Sequence, residues 1–262
     1  MIMIAWERMR GLIEDLSVKC GYYNHPKFTA DFAPNPVYLV EYPKSGVTYL
    51  ASLLANYYTD RAVNYFNVHQ YVGDLHAGKL NNSATGNYNF YKTHSEVNSN
   101  FFYIIHLVRG PEDTLVSYYN YYTTRTEYQG SFSDFIRSRR GMRRYVRHVT
   151  GWINCLKDAR YVPISYERLC REPKAFLVRW CELNGEVPSA EGLEKALASS
   201  SKISMLQQEQ LYRGGGRNFQ AFIGEKAFKL EDVCERDRAL IAKFCGPTYE
   251  AFAQIEARFY GS

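Results

Sequence analysis

The stretch EYPKSGVTY, Glu41 to Tyr49, sets a lysine, a serine, a glycine and a threonine directly after the apolar run VYLV. That combination suits an anion. A strand that turns tightly into a helix leaves the helix's first backbone N–H groups without partners, at the positive end of its dipole. Lys44 adds a full charge there, and Ser45 and Thr48 add hydroxyl donors. The nucleotide-hydrolase spelling G-x-x-x-x-G-K-[ST] is absent, because the lysine comes before the glycine. Alone, the loop is compatible with an anion site or with an ordinary strand-to-helix turn.

Three further stretches carry chemistry of the same kind. In IIHLVRGPEDTLVSYYNYY, Ile104 to Tyr122, a buried strand ends at Arg109, Pro111 takes a first-turn helical position, and Ser117 follows about two turns in. An arginine at a strand's carboxyl end is a good bidentate phosphate ligand, the alternative being a structural ion-pair partner. In NFYKTHSEV, Lys92, Thr93 and His94 close another strand. Histidine is the side chain best poised to take a proton near neutral pH, and His25, His69, His76, His106 and His148 are less clearly placed at a strand end. His106 falls mid-strand and is expected to be buried and hydrogen-bonded, and His148 to be structural. In YRGGGRNFQAFIGEKAF, Tyr212 to Phe228, three consecutive glycines sit between Arg213 and Arg217. Glycine lets backbone amides close round an anion, the bland alternative being a surface loop.

The elements that must position these residues follow an α/β pattern. Short apolar runs predict strands at 37–42, 88–92, 102–108 and 160–165. Helical stretches are expected at 48–58, 111–122, 131–139, 143–157, 166–183, 189–199 and 230–258, with an amphipathic helix at 4–16 and a polar loop from Asn81 to Asn89. Buried strands feeding helices imply a parallel sheet covered on both faces. In such sheets ligands bind at the carboxyl ends of the strands, where Lys44, His94 and Arg109 all fall.

Composition sets outer limits. A chain of 262 residues with 46% apolar content fits one domain, 1–262, with a sizeable core. The net charge of +5 suggests an anionic ligand but falls short of the excess typical of nucleic-acid binding. The six cysteines, Cys20, Cys155, Cys170, Cys181, Cys234 and Cys245, include no C-x-x-C pair, so reduced and mostly buried thiols are expected. No apolar run approaches the roughly 20 residues that cross a bilayer, and the N-terminus lacks a signal peptide's continuous apolar segment. A soluble, cytoplasmic protein is the expectation.

The order PKSG-x-T followed by an aromatic resembles the first signature, Y-P-K-S-G-T-T-W, of the cytosolic-type sulfotransferases, which use 3′-phosphoadenosine 5′-phosphosulfate (PAPS). The resemblance implies that Lys44, Ser45, Gly46, Val47, Thr48 and Tyr49 grip the 5′-phosphosulfate, with Val47 in place of a threonine and Tyr49 in place of a tryptophan. The Arg109 stretch resembles the family's 3′-phosphate signature, R-N-P-x-D-x-x-V-S-Y-Y, with Gly110 replacing the asparagine. By that likeness Arg109 and Ser117 hold the 3′-phosphate. The Gly-rich loop resembles R-K-G-x-x-G-D-W-K, which implies contacts from Arg213 and Gly214 and leaves Arg217 a candidate. VPISYERL resembles a strand ending in Y-E-D-L, adding Tyr166, and SSSKISM resembles T-S-F-x-x-M, adding Ser201. The segment KTH resembles the family's K-T-H, whose histidine is the catalytic base. It implies His94 as base and Lys92 as a contact to the sulfuryl group, with Lys44 stabilising the leaving group.

The likeness runs from about Val37 to Phe228. It implies a P-loop-type three-layer α/β fold with a central parallel sheet, and in-line transfer from PAPS without a metal, leaving 3′-phosphoadenosine 5′-phosphate (PAP). The partner is then a small-molecule acceptor, with no nucleic acid and no membrane span. Two other classes stand beside it: a phosphotransferase of similar topology, which would want a Walker lysine, and a non-catalytic nucleotide- or polyanion-binding protein. The aromatic stretches SYYNYYTTRTEY and NYNFY fit a pocket for a phenol or planar acceptor, or plain core and surface, whereas the arginine run from Arg137 to Arg147 fits a solvated face, an anionic acceptor or steering of the anionic donor.

Overall fold

The computed structural model of the chain describes residues 35–64, 66–76, 85–96, 101–154, 160–201, 203–204, 207–208 and 227–261. The helix at 4–16 and most of the Gly-rich loop, with Arg213, Gly214 and Arg217, lie outside them.

Five strands form one sheet: β1 (Pro36–Glu41), β2 (Val72–Asp74), β3 (Asn89–Thr93), β4 (Tyr103–Val108) and β5 (Arg160–Ser165). Their order is β2-β3-β1-β4-β5, and every neighbouring pair is parallel. The four strands expected from the sequence are present, each within about a residue of its expected bounds. The fifth, β2, was not expected, because Val-Gly-Asp is too short and too mixed to carry a periodic signal. Pro163 is tolerated in β5 because that strand is an edge.

Eight helices accompany the sheet among the described residues: α1 (Val47–Tyr58), α2 (Pro111–Arg125), α3 (Phe132–Arg137), α4 (Met142–Asn154), α5 (Tyr166–Arg171), α6 (Pro173–Leu183), α7 (Ala190–Ser199) and α8 (Glu235–Tyr260). One helix expected at 166–183 is two. Pro173 disfavours helical geometry at the residue before it, and Glu172 sits at φ −131° and ψ 50° between α5 and α6. The expected start of the last helix at 230 is a short 3₁₀ turn, Leu230–Asp232, ahead of α8.

Period two along each strand sorts the core into two layers. Val37 and Leu39 of β1, Phe90 of β3, Ile105 and Leu107 of β4 and Ile164 of β5 pack with α1, α6 and α7. On the opposite face Tyr42, Val108, Leu115, Phe135, Tyr145 and Phe252 join α2, α3, α4 and α8. The result is the expected three-layer α/β fold. Because all strands run the same way, every strand delivers its following residue to one sheet edge. Of the described cysteines, Cys181 and Cys245 are buried whereas Cys170 and Cys234 are exposed, so the thiols are less uniformly interior than expected. No helix among the described residues is long and apolar enough to cross a membrane.

Candidate active site

The loop after β1 is closed by its own side chains. Ser45 donates its hydroxyl to the Tyr42 carbonyl at 2.8 Å, and its backbone N–H reaches the same oxygen at 3.2 Å. Ser45 is fully buried, so the hydroxyl expected to face an anion instead ties the turn. Gly46 adopts φ +112°, and a Cβ there would lie 2.4 Å from Cδ2 of Tyr166. Only glycine meets both demands, a left-handed backbone and a ring pressed against it. Lys44 also takes a positive φ of 75°, and its ammonium lies 4.9 Å from the centre of the Tyr121 ring on α2. Tyr121 is one turn beyond Ser117, so the lysine reaches the helix face that carries Ser117.

Arg109, at the end of β4, is brought to the same place through Tyr166. Its guanidinium carbon sits 4.6 Å from the centre of that ring, and its Nη2 donates to Asp113 at 2.7 Å. Its Nε is buried without a hydrogen-bond partner among the described residues. The Arg109 carbonyl accepts the Tyr145 hydroxyl at 2.8 Å, while Glu167 accepts the Gly110 N–H at 3.0 Å. Tyr166 therefore touches both anion-grade elements, with one ring against Gly46 and Arg109. Burial pushes its hydroxyl, and that of Tyr49 in the first turn of α1, up to about 12. Both remain neutral apolar-faced rings with a polar tip.

Lys92 and His94 come from β3 and the residue after it. Strand register pairs Asp74 of β2 with Lys92, and the side chains form an ion pair at 2.9 Å. Val40 of β1 pairs with Thr93, so Glu41 and His94 emerge side by side. His94 Nδ1 is 3.4 Å from Glu41 Oε1 and 3.4 Å from the Glu41 backbone oxygen. The other Glu41 oxygen, Oε2, accepts the Val47 N–H at 2.8 Å. Burial lowers the His94 ring to about 3, helped by His76 and Lys92 and opposed by Asp74 and the Glu41 carbonyl. Burial also raises Glu41 to about 7, against the Val47 amide, Lys44, Lys92 and the Gly46 amide. His94 is thus neutral at physiological pH, the form that accepts a proton.

The sequence did not single out Glu41, Asp74, His76 or Tyr121. Glu41 had a signal: a charge closing an otherwise apolar strand. Asp74 and His76 had none, since β2 itself was unexpected. His76 lies with its ring centre 5.8 Å from that of His94.

Other expected residues fall elsewhere. Ser201 donates no loop contact among the described residues; its hydroxyl accepts the Ser204 N–H at 3.2 Å. The preceding Ser200 is bonded by Asn56, nine residues beyond Val47 on α1, or ~13 Å along a helix. Tyr118, in the aromatic run, is core rather than pocket lining. His106 is buried as expected, with Nδ1 2.6 Å from the Tyr161 hydroxyl. In the basic run, Arg139 and Arg140 lie between α3 and α4, Arg137 pairs with Asp237 at 2.8 Å, and Arg147 pairs with Glu96 at 2.6 Å. Arg140 therefore does not share a helix with Arg144 and Arg147.

Among known families, the model described as "Sulfotransferase domain" matches residues 34–212, more than half of the chain. A mouse sulfotransferase solved in complex with PAP is 20% identical, covering 67% of this chain and 67% of its own, with a TM-score of 0.48. The sulfotransferase domain of the Synechococcus PCC 7002 olefin synthase is 16% identical, covering 82% of this chain and 96% of its own, with a TM-score of 0.42. No curated protein matches at a significant level.

Proposed function

The chain belongs to the sulfotransferase domain family, and from that membership we propose that it moves the sulfuryl group of PAPS onto a hydroxyl or amine of a small-molecule acceptor in the cytoplasm. One observation carries the reading: Lys92 and His94, Lys44, and Arg109 leave three adjacent parallel strands, β3, β1 and β4, at a single sheet edge. Cations at two separated strand ends suit a ligand with two phosphate groups, and the neutral histidine at the neighbouring end of β3 suits proton removal.

The residues present fit that nucleotide. Arg109 carries a buried Nε that lacks a partner among the described residues, and Gly46 lets the loop close upon Tyr166. When bound, PAPS supplies the activated sulfuryl group. Lys44, with the backbone amides from Ser45 to Tyr49 and the side chains of Thr48 and Tyr49, holds its 5′ end. Arg109 and Ser117 hold the 3′-phosphate, and Tyr166, stacked on Arg109, makes a further contact; the expected contacts from Arg213 and Gly214 lie outside the described residues. His94 Nε2 takes the proton of the acceptor as the new oxygen–sulfur bond forms. Lys44 meets the negative charge left on the departing phosphate oxygen, and Lys92 sits against the group in transit.

A panel of phenols, alcohols, amines and anionic sugars incubated with radiolabelled PAPS tests the reading, alongside calorimetric titration of PAP. The expected result is PAP binding and labelling of at least one acceptor class, with transfer reduced about 10²- to 10⁴-fold in His94→Ala. A wild-type chain that binds neither PAPS nor PAP would overturn the function. Undiminished transfer by His94→Ala would overturn the base.

A further inference from the structure

Glu41 is a buried carboxylate, only 2% exposed, in the middle of the proposed catalytic residues. Its two oxygens are divided between two elements. Oε1 lies 3.4 Å from His94 Nδ1, and Oε2 accepts the N–H of Val47 at 2.8 Å. The Glu41 backbone oxygen stands 3.4 Å from the same Nδ1. A carbonyl oxygen can only accept, so Nδ1 carries the hydrogen and Nε2 is left with its lone pair. These spacings are long, as catalytic hydrogen bonds often are before substrate arrives.

We infer that Glu41 is a positioning residue for the transfer: its carboxylate orients the His94 ring and supplies the counter-charge when that ring takes the acceptor's proton, while its second oxygen fixes the ring's place relative to the donor loop. The inference rests on His94 being the base proposed above. A carboxylate behind a histidine that faces a hydroxyl is the arrangement that stabilises an imidazolium as it forms. Here it does a second thing. Through Val47, the first residue of α1, it ties the base to the loop that grips the donor. Misplacing a base by an ångström costs rate, so one side chain bonded to both elements has a direct catalytic consequence.

The charged and titratable groups facing this pair are few. Lys44 of the loop and Lys92 of β3 face Glu41. His76 after β2, Asp74 of β2 and Lys92 face His94, and His148 on α4 feels the same ring. Burial raises Glu41 to about 7, so its carboxyl ionises near neutrality. Ionised Glu41 orients and supports the base; protonated Glu41 gives no counter-charge.

The test uses Glu41→Gln, which keeps an oxygen for Val47 but removes the charge, and Glu41→Asp, which keeps the charge on a shorter arm. In Glu41→Gln, kcat is expected to fall at least tenfold, with KM for PAPS within threefold of wild type. The rise of kcat with pH, centred near pH 7 in wild type, should be absent from Glu41→Gln and present in Glu41→Asp. Independently of transfer, the NMR resonance of the His94 ring, assigned by its loss in His94→Gln, should inflect near pH 7 in wild type and not in Glu41→Gln. A wild-type ring without that inflection, or a Glu41→Gln variant with kcat within twofold, would overturn the inference. Retained transfer in His94→Ala would instead overturn the base assignment, and the ring titration would still report whether the two side chains are coupled.

Discussion

The ring of Tyr166 lies under the guanidinium of Arg109, 4.6 Å from centroid to guanidinium carbon, and the same ring would sit 2.4 Å from any Cβ placed at Gly46. Residues from the ends of β1, β4 and β5 are thereby packed into one contact. Gly46→Ala is expected to lose about 1 to 2 kcal/mol from its left-handed backbone alone, with the collision in addition. Gly46→Ala combined with Tyr166→Ala should recover the collision part but not the backbone part. Thermal denaturation of the two single variants and the double variant measures the coupling, and strictly additive losses would refute the contact.

Arg109→Lys preserves charge but gives up the planar stack on Tyr166 and the fork that reaches Asp113. PAP affinity should fall about tenfold, or about 1.4 kcal/mol, while the melting temperature changes little. Calorimetric titration of PAP checks this. An unchanged affinity would remove Arg109 from the nucleotide site.

Ser45→Ala separates a turn-forming role from a ligand-binding one. The Ser45 hydroxyl is buried on the Tyr42 carbonyl, so its loss should cost about 1 kcal/mol of stability and leave PAP affinity within threefold. A large loss of PAP affinity at unchanged stability would show that the hydroxyl turns toward the donor.

Acid should destabilise the fold through its buried histidines. His94 and His106 are both lowered from 6.5 to about 3, chiefly by burial. Between those values the unfolded chain binds more protons than the folded one, so stability falls as pH drops, by about 1.4 kcal/mol per pH unit for each such group. Glu41 works in the opposite sense: raised from 4.5 to about 7, it favours the folded state as pH falls through that range. Urea unfolding between pH 7 and pH 4 should show the net decline. His106→Asn should make the slope shallower by about one proton, and an unchanged slope would contradict the buried neutral assignment.

The sequence by itself determined four of the five strands, a parallel sheet covered on both faces and the residues that leave those four strand ends. Apolar runs such as VYLV and IIHLV have no other way to be buried than in a covered parallel sheet, and a parallel sheet sends Lys44, His94 and Arg109 to one edge. Pairing across strands was beyond its reach. Register alone sets Glu41 beside His94 and Asp74 beside Lys92, residues that are not neighbours in the chain. The hydroxyl of Ser45 looked like a ligand because a motif shows which atoms are present and not where they bond. The break at Pro173 was a local effect that the sequence did contain. The role of Glu41 was not local. A single charge at a strand end acquires meaning only when folding buries it against a base on one side and a helix amide on the other.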